Sequence, residues 1–275
     1  MPELPEVETI KRQLQQEIVG KRIIEVEIKL PKLVKLESEK FKKSVEGSKI
    51  ENVWRRAKII GIDLDNQRTI LIHLKLTGQL IYFSSADELK LKPYSHLIYH
   101  LDDGSFLVHN DARQFGYVKL VSEDDVKNIK NEFGVEPLSD DFTLEKFKEL
   151  IKKRPRSKIK TLLMDQKWVA GIGNAYSDEI LFSAKVNPFR YAGSLTDDEI
   201  ENIYQAIRKI LTKAIEYRGT TTDTYVDTHD QAGNYVQFLK VYKHQGEICS
   251  RCGQGIITTA KIGGRTAHFC PVCQK

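Results

Sequence analysis

The chain has 275 residues, with 43 Lys and Arg against 38 Asp and Glu, a formal net charge of +5 and 40% hydrophobic residues. That length allows two domains with separate cores, and the composition is that of an ordinary globular protein. No apolar run approaches the roughly 20 residues a membrane span needs, and the N-terminus has no signal-peptide apolar segment, so a cytoplasmic protein without a membrane role is expected.

The chain opens on Pro-Glu-Leu-Pro-Glu-Val-Glu-Thr at residues 2–9. Once Met1 is removed, Pro2 becomes a free secondary amine, and an α-amino group titrates near 7.7 to 8.0 against about 10.4 for lysine. Such an amine is a nucleophile at neutral pH without costly burial. Glu3 beside it and Glu6 one helical turn on supply acid-base partners. The same residues also read as a plain helix start, with Pro5 in the first turn, acids at the positive end of the helix dipole, and Val7, Ile10 and Leu14 as a buried stripe.

From Arg22 to Val121 short β-rich runs alternate with turns: 23–28, 58–64, 69–75, 79–83, 96–101 and 106–109. Asp65-Asn66 and Asp102-Asp103-Gly104 fall between strand pairs as hairpin turns. Many short strands behind one helix predict a β-sandwich. The lysine-rich stretch 29–43, in which Glu37 and Glu39 also stand, reads as a solvated face.

After Pro137 the periodicity becomes helical, over 143–153, 158–166 and 196–217, the last opened by a capping box of Thr196 with Glu199. Gly171-Ile172-Gly173-Asn174 leads into a further helix at 175–183. Glycines at a helix start expose backbone N–H groups, as phosphate binding requires, although most such turns only reverse the chain. Residues 219–237 form a long polar loop, read as a binding loop in which threonines, Tyr225 and Asp227 offer groups to a heterocycle.

All four cysteines lie in the tail, as Cys249-x2-Cys252 and Cys270-x2-Cys273 separated by seventeen residues. Paired knuckles of this kind place four thiolates tetrahedrally and predict one structural zinc ion, with no open position for chemistry. The intervening hairpin is expected to carry Ile256 and Ile257 up and Ile262 down, with Gly263-Gly264 and Arg265 near its turn. From Lys240 to Lys275 six basic residues face Glu247 alone, so the net charge concentrates here. A small basic module on a balanced body suggests a polyanion footprint, and Lys261 and Arg265 are the expected phosphate contacts.

These pieces converge on one family. The octapeptide, Arg55-Arg56-Ala57-Lys58, the run His73 to Gly78, the run Asp111 to Gly116, the run Ala170 to Tyr176 and the cysteine tail with Gly264-Arg265 together resemble bacterial formamidopyrimidine-DNA glycosylase, in order along the whole chain. The resemblance implies an α+β protein. An N-terminal β-sandwich with flanking helices (1–135) would precede a helix-two-turns-helix domain with a lesion-binding loop (136–237) and a four-cysteine zinc finger (238–275), with damaged double-stranded DNA held in the cleft.

It further implies a monomer that removes oxidised purines through a Schiff base on Pro2 and then cleaves the strand by β,δ-elimination. Glu3 would assist ring opening, Lys58 contact phosphate and donate a proton, and Arg265 serve phosphate binding and δ-elimination. Lys160 and Asn174 would grip the backbone, with His73, Leu76, Tyr94, Arg113 and Phe115 as further DNA contacts and Thr221, Thr222 and Tyr225 as the lesion loop. Flipping a base out of the stack leaves a gap, which Phe115 would wedge while Arg113 faces the opposite cytosine.

Alone, His73 reads as a core histidine, Phe115 as core and Arg113 as a surface ion-pair partner; only their joint spacing argues otherwise. Leu76 replaces a methionine frequent in the family, Tyr94 stands where a histidine is usual, and a retained Met1 would leave an amide at Pro2. An endonuclease VIII-like enzyme is disfavoured by the octapeptide and by Arg113-x-Phe115. A non-catalytic reader of damage would follow from a retained Met1, and a zinc-ribbon protein of translation would explain the tail but not the N-terminus.

Overall fold

The computed structural model describes residues 1–275 and divides the chain into two compact units. The first comprises Met1–Asn131 together with Tyr217–Asn234, and the second Glu132–Glu216 with Tyr235–Lys275. The expected binding loop, up to Asn234, therefore groups with the N-terminal unit and not with the helices that precede it.

In the first unit, helix α1 (Leu4–Glu17) is followed by strand β1 (Ile23–Ile28), helix α2 (Ser38–Val45) and strands β2 (Ile50–Arg56), β3 (Ile59–Leu64), β4 (Arg68–His73), β5 (Gly78–Phe83), β6 (Ser95–Leu101), β7 (Phe106–Asp111) and β8 (Tyr117–Ser122), with helix α3 (Glu123–Asn131) last. The strands form two four-stranded antiparallel sheets, ordered β1-β6-β7-β5 and β2-β3-β4-β8. One apolar core joins Val26, Leu80, Tyr99 and Leu107 of the first sheet to Val53, Ile60, Ile72 and Val118 of the second. Val7, Ile10 and Leu14 of α1 enter that core, as the helical spacing predicts. Each fully buried side chain of this size contributes about 1.5–3 kcal/mol, so the sandwich is held chiefly by apolar burial.

The stretch 29–43 differs from its sequence reading. Leu33 and Val34 are buried, and α2 sends Phe41 and Val45 into the core while its lysines remain outside. Interspersed lysines masked an amphipathic helix only eight residues long.

The second unit contains α4 (Leu144–Lys153), α5 (Ile159–Met164), α6 (Asn174–Ser183), α7 (Asp197–Glu216) and a tail hairpin of β9 (Thr258–Ile262) and β10 (Arg265–Phe269). The capping box opening α7 is present: Glu199 N–H donates to Thr196 Oγ1 at 3.2 Å and Thr196 N–H to Glu199 Oε2 at 2.8 Å. In the tail hairpin Ile262 ends the ascending strand, contrary to expectation, because Gly263 and Gly264, both at positive φ, form the turn directly after it. No helix is long and apolar enough to cross a membrane.

Candidate catalytic N-terminus and nucleic-acid contacts

Pro2 is buried at the head of α1, with Glu3 and Glu6 behind it. Glu6 does more than supply a second acid. Its Oε2 accepts the Glu3 N–H at 2.7 Å and its Oε1 accepts the Thr220 N–H at 2.7 Å, so one carboxylate fastens the start of α1 to the polar loop. Charge-assisted bonds of this length at a helix N-terminus are among the stronger ones proteins make. Gly219 has φ +78°, and a Cβ there would lie 2.7 Å from Glu6 Oε1, so only glycine fits.

Arg55 makes the second attachment. Its Nε donates to Glu8 Oε2 on α1 at 2.9 Å and a terminal nitrogen donates to the Ala57 carbonyl at 3.0 Å. Burial raises the Glu8 carboxyl, and Arg55 and Arg12 more than offset this, so it sits below the usual carboxylate range. Arg55 thereby ties the helix behind Pro2 to the β2–β3 turn, where Ala57 adopts φ 52° and Lys58 follows, only 8% exposed. Across the sheet, Ile59 pairs with His73. The His73 ring is pushed down to about 3 by burial and by the charges of Lys75 and Lys58, and its Nδ1 accepts the Lys75 N–H at 3.0 Å. A neutral histidine results, able to donate from its other nitrogen.

The polar loop is built on Asp227. This fully buried carboxylate accepts Arg218 at 2.7 Å, Gln13 Nε2 at 3.1 Å and the N–H groups of His229 and Gln231 at 3.0 Å each. Tyr225 also differs from expectation: it is 4% exposed, belongs to the sandwich core, and donates to the Arg218 carbonyl at 3.0 Å. Asp227 and Tyr225 hold the loop's shape from its buried side. Thr221 and Thr222 remain half-buried on the loop; the Thr221 hydroxyl bridges the Tyr225 carbonyl and the Gly233 N–H, each at 2.8 Å.

Arg113 and Phe115 project from the loop between β7 and β8. Phe115 is 54% exposed, too much for a core phenylalanine, and the Arg113 guanidinium lies 5.0 Å from its ring centroid. Leu76 and Tyr94 are half-buried on neighbouring connections of the same unit.

In the second unit the expected backbone contacts separate. Lys160 is fully buried, and its Nζ donates to Asp178 Oδ1 at 2.6 Å, Ser177 Oγ at 2.9 Å and the Asn174 carbonyl at 3.2 Å. Its ammonium is therefore held by protein acceptors. Desolvating an ammonium costs several kcal/mol unless it is paired, which explains the Asp178 partner. Asp178 Oδ2 receives the His268 N–H at 3.1 Å and contacts its ring Nδ1 at 2.9 Å, joining α5, α6 and β10. Asn174, first residue of α6, keeps a buried Oδ1 without a partner. Arg265 is exposed beside the hairpin turn and lines a cavity of about 280 Å³ with Lys160, Thr161, Met164 and Gly263.

The four Sγ atoms of Cys249, Cys252, Cys270 and Cys273 lie within 4.8 Å of one another. Backbone N–H groups of Gly255 and Gln254 hold the Cys252 thiol down at about 6, while burial and the neighbouring thiols push Cys273 up. Four thiols this close cannot all ionise without a cation among them, and the group could hold a metal ion. Behind it Glu179, buried and raised by that burial, accepts the N–H groups of Lys240, Val241 and Tyr242 at 2.9 to 3.0 Å.

Glu6 with Thr220, Arg55 with Glu8, and Asp178 with Lys160 and His268 carried no sequence signal as partners, since 214, 47, 18 and 90 residues separate them.

A family model for the formamidopyrimidine-DNA glycosylase N-terminal domain matches residues 1–118, and one for the H2TH domain of that glycosylase matches residues 133–226. The formamidopyrimidine-DNA glycosylase of Pelotomaculum thermopropionicum is 44% identical over 100% of this chain and 99% of its own length. That of Streptococcus mutans is 42% identical over the full length of both. Lactococcus lactis Fpg in complex with abasic-site DNA superposes with a TM-score of 0.91 at 36% identity, covering 99% of each chain. A mutant of that protein with Fapy-dG-containing DNA also gives 0.91 at 36% identity over all of both chains. By these measures, and by the order of its motifs, the chain belongs to the formamidopyrimidine-DNA glycosylase family.

Proposed function

We propose that this protein is a base-excision repair enzyme acting as a monomer in the cytoplasm, excising 8-oxoguanine and formamidopyrimidines from duplex DNA and cleaving the abasic strand. The observation that carries this reading is the N-terminus of the first unit in a chain of this family. Pro2 and Glu3 head a buried helix that Glu6 and Arg55 tie to the polar loop and to the Lys58 turn.

After loss of Met1, the Pro2 nitrogen attacks C1′ of the flipped nucleotide. The glycosidic electrons leave with the base, which takes up a proton, and Glu3 assists opening of the sugar ring. The resulting iminium withdraws electrons from C2′, so a C2′ proton is lost and the 3′ phosphate departs; a second elimination releases the 5′ phosphate. Lys58 contacts phosphate and supplies a proton during the first elimination, and Arg265 serves the second. Glu6 keeps both its oxygens on backbone N–H groups and holds the reacting residues in place.

Zinc is assigned to the cysteines. Tetrahedral Zn–S bonds of about 2.3 Å demand sulfur separations of about 3.8 Å. The Cys252–Cys270 pair stands at 3.8 Å and Cys249–Cys273 at 3.4 Å. The ion would hold the hairpin and leave the chemistry to the first unit.

Borohydride treatment with duplex DNA carrying 8-oxoguanine opposite cytosine tests the mechanism. A covalent complex through Pro2 is expected, and a form retaining Met1 should bind an abasic-site analogue within about tenfold yet trap nothing. Undiminished trapping by that form would move the nucleophile elsewhere, with Lys58 next in line. Binding without trapping by the processed protein would identify a damage reader.

A further inference from the structure

The loop that carries Arg113 and Phe115 is anchored by a buried polar network to which the chemistry above gives no part. Asp111, the last residue of β7, is fully buried. Its Oδ1 accepts the Thr77 hydroxyl at 2.5 Å and its Oδ2 accepts the Gly116 N–H at 2.7 Å. The Thr77 oxygen in turn accepts the N–H of Arg113 itself at 3.0 Å. The Asp111 carbonyl takes the Gln114 N–H at 3.2 Å and contacts His96 Nε2 at 3.0 Å, and its own N–H reaches the Tyr94 carbonyl at 3.0 Å.

Both ends of the 112–116 loop are thus held from below by one carboxylate and one hydroxyl. The space is closed as well. A Cβ at Gly116 would lie 2.9 Å from Asp111 Oδ2 and 3.1 Å from the His73 carbonyl, so the descending limb of the loop sits hard against the network. Gln114, at φ 57°, turns the chain tightly between the two held ends.

We infer that Thr77 and Asp111 are positioning residues for opposite-base discrimination, fixing the emergence of Arg113 so that its guanidinium fork meets the orphaned base at one angle. This rests on the proposed role of Arg113. An aromatic wedge tolerates small displacements, because stacking is not directional. A bidentate fork does not, because both hydrogen bonds must align together. The two anchors divide accordingly: Thr77 holds the Arg113 backbone, whereas Asp111 Oδ2 holds Gly116 beside Phe115.

A well-placed bidentate arginine pair discriminates between bases by roughly 5- to 150-fold. Single-turnover excision of 8-oxoguanine opposite cytosine and opposite adenine, with Arg113→Ala in parallel, tests the inference. Thr77→Val keeps the side-chain shape but removes both hydrogen bonds, and should cut the cytosine-over-adenine rate ratio at least about threefold. Thr77→Ser should restore it. Asp111→Asn, whose amide cannot accept from both Thr77 and Gly116, should lower the ratio and slow both duplexes; it provides a second reading should the valine variant misfold, which circular dichroism reports. If Arg113→Ala collapses the ratio while Thr77→Val and Asp111→Asn leave it intact, the inference is overturned. If Arg113→Ala itself leaves the ratio unchanged, the role of Arg113 fails instead.

Discussion

The sandwich and the cysteine tail solve the same problem with opposite chemistry. In the sandwich, two sheets and α1 share a continuous apolar core, while Glu6, Asp111 and Asp227 brace its loops. The tail contributes four buried residues, two of them cysteines, to an apolar cluster completed by Phe182 of α6, and Ile248 and Ile256 stand 68% and 56% exposed. It is instead held by four sulfurs and by buried charge, through Asp178 with Lys160 and His268 and through Glu179 with three backbone N–H groups. A segment this short cannot enclose enough apolar area to fold by burial alone. The difference predicts which perturbation each region survives.

Metal removal should divide the molecule most sharply. Structural zinc supplies folding free energy of about 10–16 kcal/mol in isolated fingers. Chelation, or Cys252→Ser, should therefore unfold residues 238–275, release the metal and weaken DNA binding more than about tenfold, or about 1.4 kcal/mol. The sandwich should keep its own melting transition, since its apolar core contains no cysteine. Colorimetric zinc release alongside calorimetry decides it; a single transition that shifts as a whole, or no zinc at all, would remove the distinction.

What was legible in the sequence follows the same division. Cysteine spacing, strand periodicity and helix caps are local signals, and Thr143, which accepts the Lys146 N–H at 3.2 Å, and Thr196 cap the helices their patterns announce. Partners far apart in the chain leave no such trace. Lys160 resembles a phosphate-binding lysine until Asp178 is seen to enclose it, and Tyr225 resembles a lesion contact until the core closes around it. Even α2 was hidden, because its two buried residues, Phe41 and Val45, are separated by lysines and a serine that stay at the surface.

Lys160 offers the second test. Lys160→Met leaves the buried Asp178 carboxylate with His268 alone beside it, and breaking a buried pair of this kind costs about 3–5 kcal/mol. Adding Asp178→Asn should return part of the loss, because the stranded charge is gone. A lysine that contacts phosphate behaves differently: its loss lowers the salt dependence of DNA binding by about one unit in log–log slope and leaves the melting temperature alone. Lys160→Met is expected to lower the melting temperature and to keep the salt slope; the reverse pattern would return Lys160 to the DNA interface.

The sandwich has its own buried titratable group, and here the sign differs because the group is neutral. Both ring nitrogens of His109 are buried without a hydrogen-bond partner. Burial lowers its pKa, Asp111 opposes this and His96 adds to it, bringing the group from the ordinary 6.5 down to about 4. The unfolded chain therefore binds a proton between pH 6.5 and 4 that the folded chain refuses, so stability falls as pH drops through that window. The full effect is about 3 kcal/mol, and it is complete only below the folded-state value. His109→Leu removes the proton uptake along with two unsatisfied nitrogens. Urea midpoints at pH 7 and pH 4 should then differ less in the variant than in the parent, with the contrast confined to the sandwich transition. Equal acid sensitivity in both proteins would mean that the ring is already protonated in the folded state, with Asp111 as its counter-charge.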